Sequence, residues 1–322
     1  MPLAALTSMQ RTILKMQFPS DLSIGRLYRR DEYAGELLLG EAKSNLHVEE
    51  GKALTLKVRV DRPVNLSSLK SLEPNVLETL SLANSQIDDS QLEFIAHLTG
   101  LKSLHLEHTK LKGWGFKHFR ALKNLQVLTM WWTRVGDDYF RHFEGLESLE
   151  VLTLSCTNMS DAGIAFLEPL KKLKDIDLWG TRIGDDALRT IAAFSEMEVL
   201  GLANTHISNL GLAYIEPLQK LTSLNLRQTD VTDKGVEHLA KLSNLRSLDL
   251  SHTELLGKAL PPLAKLERLE SLNLAKTEIF DQDLNSLRAL PNLRHLDISG
   301  TKVTPEGRSS LNVWPALQSI TY

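Results

Sequence analysis

The amino-acid sequence predicts an α/β solenoid with a small β-rich N-terminal cap, on three observations. The phrases LETLSLANSQI, LKSLHLEHTKL, LQVLTMWWTRV and LEVLTLSCTNM begin at Leu77, Leu101, Leu125 and Leu149, each 24 residues after the last, and the series continues without insertion through Leu173, Met197, Leu221, Leu245, Leu269, Leu293 and Leu317. Inside each phrase apolar residues first alternate, as in a strand, and then recur three apart, as on one helical face. A lone unit buries too few side chains to offset the entropy of ordering its backbone, so units must stack, strand beside strand in a parallel sheet with helical segments on the other side.

The elements follow in chain order. Leu54, Leu56, Val58 and Val60 alternate cleanly, and Leu56 and Val58 match the fourth and sixth positions of a unit beginning at Ala53. LHVEEGKALTLKVRV therefore predicts a hairpin turning at Glu50-Gly51 whose second strand starts the solenoid, which makes residues 1–52 an N-terminal segment and cap and residues 53–322 the repeat domain. In each 24-residue unit, positions 1, 4, 6, 11, 16, 19 and 22 are apolar, and position 9 is Thr in nine units and Ser85 in the other. A hydroxyl there can satisfy backbone groups that leave the ladder. At position 13, Asp89, Asp137, Asp161, Asp185, Asp233 and Asp281 precede the helical segment and are expected to cap it. Gly163, Gly211, Gly235 and Gly307 are expected to relax the same turn. Pro261-Pro262 should leave the unit starting at Leu245 with little regular helix. The final strand, LQSITY, ends the series uncapped, an expected place for edge-to-edge association.

The phrase LxxLxLxxTx(I/V/L), as in LTSLNLRQTDV at residues 221–231, resembles the leucine-rich repeat, in a bacterial-type form with Thr where Asn or Cys is usual. The resemblance covers about residues 53–322. It implies a curved horseshoe with the sheet on its concave face, the face with which most members bind other proteins.

Hydrophobic residues at 42%, charged residues at 24% and a net charge of -3 describe a globular chain with no general attraction for nucleic acid or anionic membrane. A lone cysteine, Cys156, excludes an internal disulfide and agrees with a cytoplasmic location. The N-terminus has no uninterrupted apolar run of the signal-peptide kind, and no stretch approaches the length of a membrane helix.

The residues point to no catalytic group, cofactor or metal. Gly136-Asp137-Asp138 and Gly184-Asp185-Asp186 suggest a metal-binding acid pair, yet both fall at repeat positions 12–14, where capping accounts for them. His108 and Cys156 lie two units apart, about 10 Å along a sheet, whereas zinc needs its ligands within about 2.3 Å of one point. No histidine in the concave columns shares or adjoins the unit of Cys156 to activate it as a nucleophile.

What remains is the concave face. Positions 3, 5 and 7 point out of the sheet and position 8 lies at its rim. This places Trp131 and Trp179 in one column with Ser155 between them, and Trp132 beside them at the rim. His105, Glu107, His108, Asp175 and Asp177 surround a slot about 10 Å wide between the two rings, with Arg227 further along the column. Five acids against two bases make the face mildly acidic. The expectation is a non-enzymatic module that binds a protein or peptide on this face. An inhibitor or regulator of a partner enzyme, or a carbohydrate or small-ligand receptor using the same tryptophans, are the alternatives.

Overall fold

The computed structural model describes residues 13–31, 35–49, 53–311, 314 and 316–322. The cap contains β1 (Ile13–Gln17), β2 (Gly25–Asp31), β3 (Gly35–Glu41) and β4 (Asn45–Glu49), and β5 (Leu54–Val58) leads into the repeats. Each following unit contributes a three-residue strand at positions 3–5: β6 (Thr79–Ser81), β7 (Ser103–His105), β8 (Val127–Thr129), β9 (Val151–Thr153), β10 (Asp175–Asp177), β11 (Val199–Gly201), β12 (Ser223–Asn225), β13 (Ser247–Asp249), β14 (Ser271–Asn273), β15 (His295–Asp297) and β16 (Ser319–Thr321). From β5 to β16 the strands are parallel and in register, so that Leu80, Leu104, Leu128 and Leu152 stand side by side. The result is an open 14-stranded sheet with short helices behind it, an α/β horseshoe solenoid.

The apolar positions form one continuous core. In the unit at Leu125, the residues Leu125, Leu128, Met130, Val135, Phe140, Phe143 and Leu146 are all fully buried. Two adjacent units fill positions 16 and 19 with Phe: Phe116 stacks on Phe119 at 4.8 Å between centroids, and Phe143 meets Phe116 at 5.3 Å and Phe140 edge-on at 5.2 Å. The helical segments are 3-10 turns in the early units, such as Asp137–Phe143, and one- or two-turn α-helices in several later ones, such as Asp185–Ile191, while Asp281–Ala289 is again 3-10. Around Pro261-Pro262 the helix shrinks to a turn, Gly257–Ala259, and four α residues, Leu260–Leu263.

The hydroxyl column acts as its chemistry suggests. Thr133 Oγ1 donates to the Met130 carbonyl (2.7 Å), Thr157 to Leu154 (2.7 Å) and Thr181 to Leu178 (2.6 Å), all buried where the strand ends. The acid column departs from expectation. Each Asp at position 13 is the first residue of its own helix and accepts from the next unit instead: Asp137 from Ser160 N–H (2.7 Å), Asp161 from Gly184 N–H (2.7 Å) and Asp185 from Ser208 N–H (2.8 Å). A carboxylate that opens a helix cannot fold back onto its own N-cap, but it reaches the free N–H one unit along the stack.

The glycine column is explained by the same contact. Gly163 and Gly211, at position 15, have ordinary backbone angles, and a Cβ on either would collide with the carboxylate of Asp137 or Asp185 in the preceding unit. They admit the acid; they do not relax a turn. Where position 13 is Gly113 or Gly257, the facing residue is large, Tyr139 or Asp283, and fills the space instead.

The cap also differs from the expected hairpin. β5 does not pair with β4: it takes β2 antiparallel on one edge (Leu56 opposite Leu27) and β6 parallel on the other, so both its edges are occupied. β4 pairs with β1 in a separate two-stranded sheet. The proposed turn at Glu50-Gly51 lies outside the described residues. At the far end β16 pairs only with β15 among the described residues.

Candidate functional site

Local backbone geometry sets the site. After position 7 every unit leaves the strand through a left-handed residue at position 8, so the rim position is also the turn. Asn84, Trp132, Asn204, Gly180 and Gly300 have φ of 58°, 56°, 51°, 65° and 68°. Gly and Asn tolerate this conformation, whereas Trp pays about 1–2 kcal/mol for it. The left-handed turn aims the position-8 N–H at the next unit's position-7 carbonyl, Trp132 to Ser155 O at 2.9 Å and Cys156 to Trp179 O at 2.8 Å. Two glycines and two asparagines in one column were the available signal.

The three tryptophans stand where the repeat count puts them, but their rings are not equivalent. Trp131 is half-buried and meets the His108 ring edge-on at 4.3 Å. Trp132 is 54% exposed and lies nearly parallel to the same imidazole at 5.8 Å. Trp131 and Trp132 thus hold His108 between them. Trp179, 41% exposed, stands two strands away. Along the position-7 column, the unit of Ser155 is therefore flanked on one side by a His108-Trp131-Trp132 cluster and on the other by a single ring.

The polar groups fall into two sets. On the N-terminal side the Thr129 hydroxyl donates to Glu107 Oε2 (2.6 Å), and His105 Nδ1 lies 3.0 Å from Thr129 Oγ1. Because Thr129 spends its proton on the carboxylate, the bonding pattern assigns the Nδ1 proton to His105. Burial pushes the His105 pKa below its usual value, against an opposing pull from Glu107, so the ring is held neutral.

On the C-terminal side Asp175 and Asp177 share one face of β10. Burial, then repulsion from Asp177, raises the Asp175 pKa above the ordinary carboxylate range. Asp177 Oδ1 accepts from Trp179 N–H at 3.0 Å, and its carboxylate leans over Gly201, where a side chain would collide with it. Burial, with a contribution from Asp177, raises the Cys156 thiol pKa, the opposite of what activates a thiolate. Between the two sets, the Ser155 and Thr153 hydroxyl oxygens are shielded from solvent with no hydrogen-bond partner.

Arg227 does not join this group. It donates to Ser251 Oγ at 3.2 Å, further along the sheet. The GDD pairs divide as the repeat suggests: Asp137 and Asp185 bond to the next unit, while Asp138 and Asp186 pair with Arg141 (3.0 Å) and Arg189 (3.2 Å) on their own helices. Among the described residues no three His, Cys, Asp or Glu side chains gather as a metal site, and no helix is long and apolar enough to cross a membrane.

An open horseshoe of in-register strands with an uncommitted concave face defines a repeat scaffold, and comparison with known proteins says which. The family pattern described as Leucine-rich repeat region matches residues 63–260, and a second, Leucine Rich repeat, matches residues 289–311. The chain belongs to the leucine-rich repeat family.

No curated protein matches it. Among solved structures it is similar to an internalin, inlF, from Listeria monocytogenes, at 20% identity and a TM-score of 0.58 over 83% of this chain and 86% of that one. It is also similar to a TDR receptor (18% identity, TM-score 0.61) and to the plant peptide hormone receptor RGFR1 in complex with RGF2 (24% identity, TM-score 0.54). The matches cover 83% and 80% of this chain, but only 44% and 41% of those receptors. At these identities the likeness concerns the fold.

Proposed function

We propose that this protein is a non-enzymatic interaction module that binds a protein or peptide on its concave face, centred on Trp131, Trp132 and Trp179. One observation carries the reading: two large exposed indoles and a third half-buried one occupy a face whose repeat asks for none of them. Trp132, moreover, sits in a backbone conformation that disfavours it. Elsewhere in the position-7 column stand small residues such as Ala83, Ala203, Ser251 and Ala275. Exposed Trp among small and charged neighbours is the composition of an interface hot spot. A reducing, cytoplasmic setting belongs to this reading, since the single thiol needs no oxidant.

The test compares wild type with Trp131→Ala/Trp179→Ala as immobilised bait, the fold of both verified by circular dichroism. Loss of the bound partner in the double variant supports the reading. Undiminished binding by a folded double variant overturns it.

A further inference from the structure

We propose that the concave site receives an arginine side chain of the partner, its guanidinium stacked on Trp179 and bonded to the Asp175 and Asp177 carboxylates over the Thr153 and Ser155 hydroxyls. The inference rests on the concave-face reading above and names the chemistry that this face selects.

Three independent observations converge. The first is uncompensated charge. Neither Asp175 nor Asp177 forms an ion pair among the described residues, the Asp175 carboxylate accepts no hydrogen bond there, and the nearest base in the concave columns, Arg227, is committed to Ser251. Glu107 is held by the Thr129 hydroxyl and Asp249 by the Asn273 side-chain amide, whereas Asp177, like Asp297, accepts only the backbone N–H two residues on.

The second is unused bonding capacity. Ser155 is 5% exposed, and its Oγ, like Thr153 Oγ1, has no partner, although a buried hydroxyl ordinarily finds one. The carboxylates accept only and the unpartnered hydroxyls can accept as well, so the set can take several donors at once. A guanidinium offers five N–H donors and no acceptor; an ammonium offers three in a tetrahedral array that cannot lie flat on a ring.

The third is the ring. Trp179 follows Asp177 by two residues on the same concave face, so its exposed indole shares that face with the acids, where a flat cation gains both the ring and the carboxylates. The hydroxyl oxygens are shielded in the free protein, so docking includes a local side-chain rearrangement that uncovers them, an ordinary adjustment on binding.

The experiment uses the full chain labelled with ¹⁵N and follows the five indole N–H resonances, one for each tryptophan. The probes are N-acetyl-arginine amide, its neutral isostere N-acetyl-citrulline amide, N-acetyl-lysine amide and maltotriose. The expected result is a saturable shift of the Trp179 resonance with the arginine amide, weakened about tenfold or more by citrulline or by Asp175→Asn/Asp177→Asn.

Equal response to citrulline or lysine, a response to maltotriose at the same resonance, persistence in the Asn variant or no response to arginine would each overturn the assignment. The two proposals fail separately. If Trp131→Ala/Trp179→Ala abolishes binding of a captured partner while Asp175→Asn/Asp177→Asn leaves it intact, the arginine site is wrong and the concave face stands.

Discussion

Replacing Thr133 with Val should destabilise the fold more than the same change at Thr157, although both hydroxyls are buried and bond the carbonyl three residues back. Val keeps the volume of Thr and removes one donor. At Thr133 that donor, at 2.7 Å, is the one described partner of the Met130 carbonyl. The Leu154 carbonyl keeps a second donor, the Thr157 backbone N–H at 3.2 Å. A buried acceptor stranded without a donor costs about 1–3 kcal/mol, whereas loss of one bond from a carbonyl that keeps another costs about 0.5–1.5 kcal/mol. With an unfolding entropy near 2.1 cal/mol/K per residue, a chain of this length loses about 3 °C of Tm for 2 kcal/mol. Urea and thermal denaturation of both variants beside wild type measure the difference. Equal losses, or no loss at Thr133, would refute the view that the threonine column acts by satisfying strand-end carbonyls.

Other perturbations probe other layers of the structure. Phe143→Ala opens a cavity among Phe116, Phe119 and Phe140 and should cost about 3–5 kcal/mol by denaturant titration. Gly211→Leu drives a side chain into the Asp185 carboxylate and should cost about 1–3 kcal/mol, with partial rescue by Asp185→Gly, which recreates the Gly113–Tyr139 pairing; additive losses would contradict this size complementarity. Because folding raises the Asp175 pKa, the folded state bears a penalty that grows as pH rises from the unfolded carboxyl's range through the folded value; Asp175→Asn should stabilise at pH 7 and lose that advantage as pH falls toward 4. The depressed His105 pKa acts in the opposite sense: stability present above the ordinary histidine value declines as pH falls below it, and NMR titration should place His105 below 6.5.

The core and the hydroxyl column were legible in the sequence because they are local and repeated. A residue at position 4 or 6 has the same environment in every unit, so ten occurrences average away the exceptions. What escaped depended on relations between units. The direction of the Asp bonds shows up only when position 13 of one unit is compared with position 15 of the next, 26 residues on. Asp89, Asp137 and Asp185 then meet Gly115, Gly163 and Gly211, while Gly113 and Gly257 meet Tyr139 and Asp283. The cap escaped because its strands compete for edges, and β5 had none left for β4. At the candidate site the columns were readable but the rotamers were not: spacing put Trp131 opposite Trp179, and the ring turned to His108.

The in-register pairing of strands 24 residues apart gives the binding face a fixed ruler. Its side chains stand on a lattice whose step along the stack is one strand, about 4.8 Å, so duplicating or deleting a unit between Trp131 and Trp179 could change their separation only by whole steps. Graded adjustment of this site is left to the residues themselves, and a large change in the length of what it grips requires the gain or loss of an entire repeat.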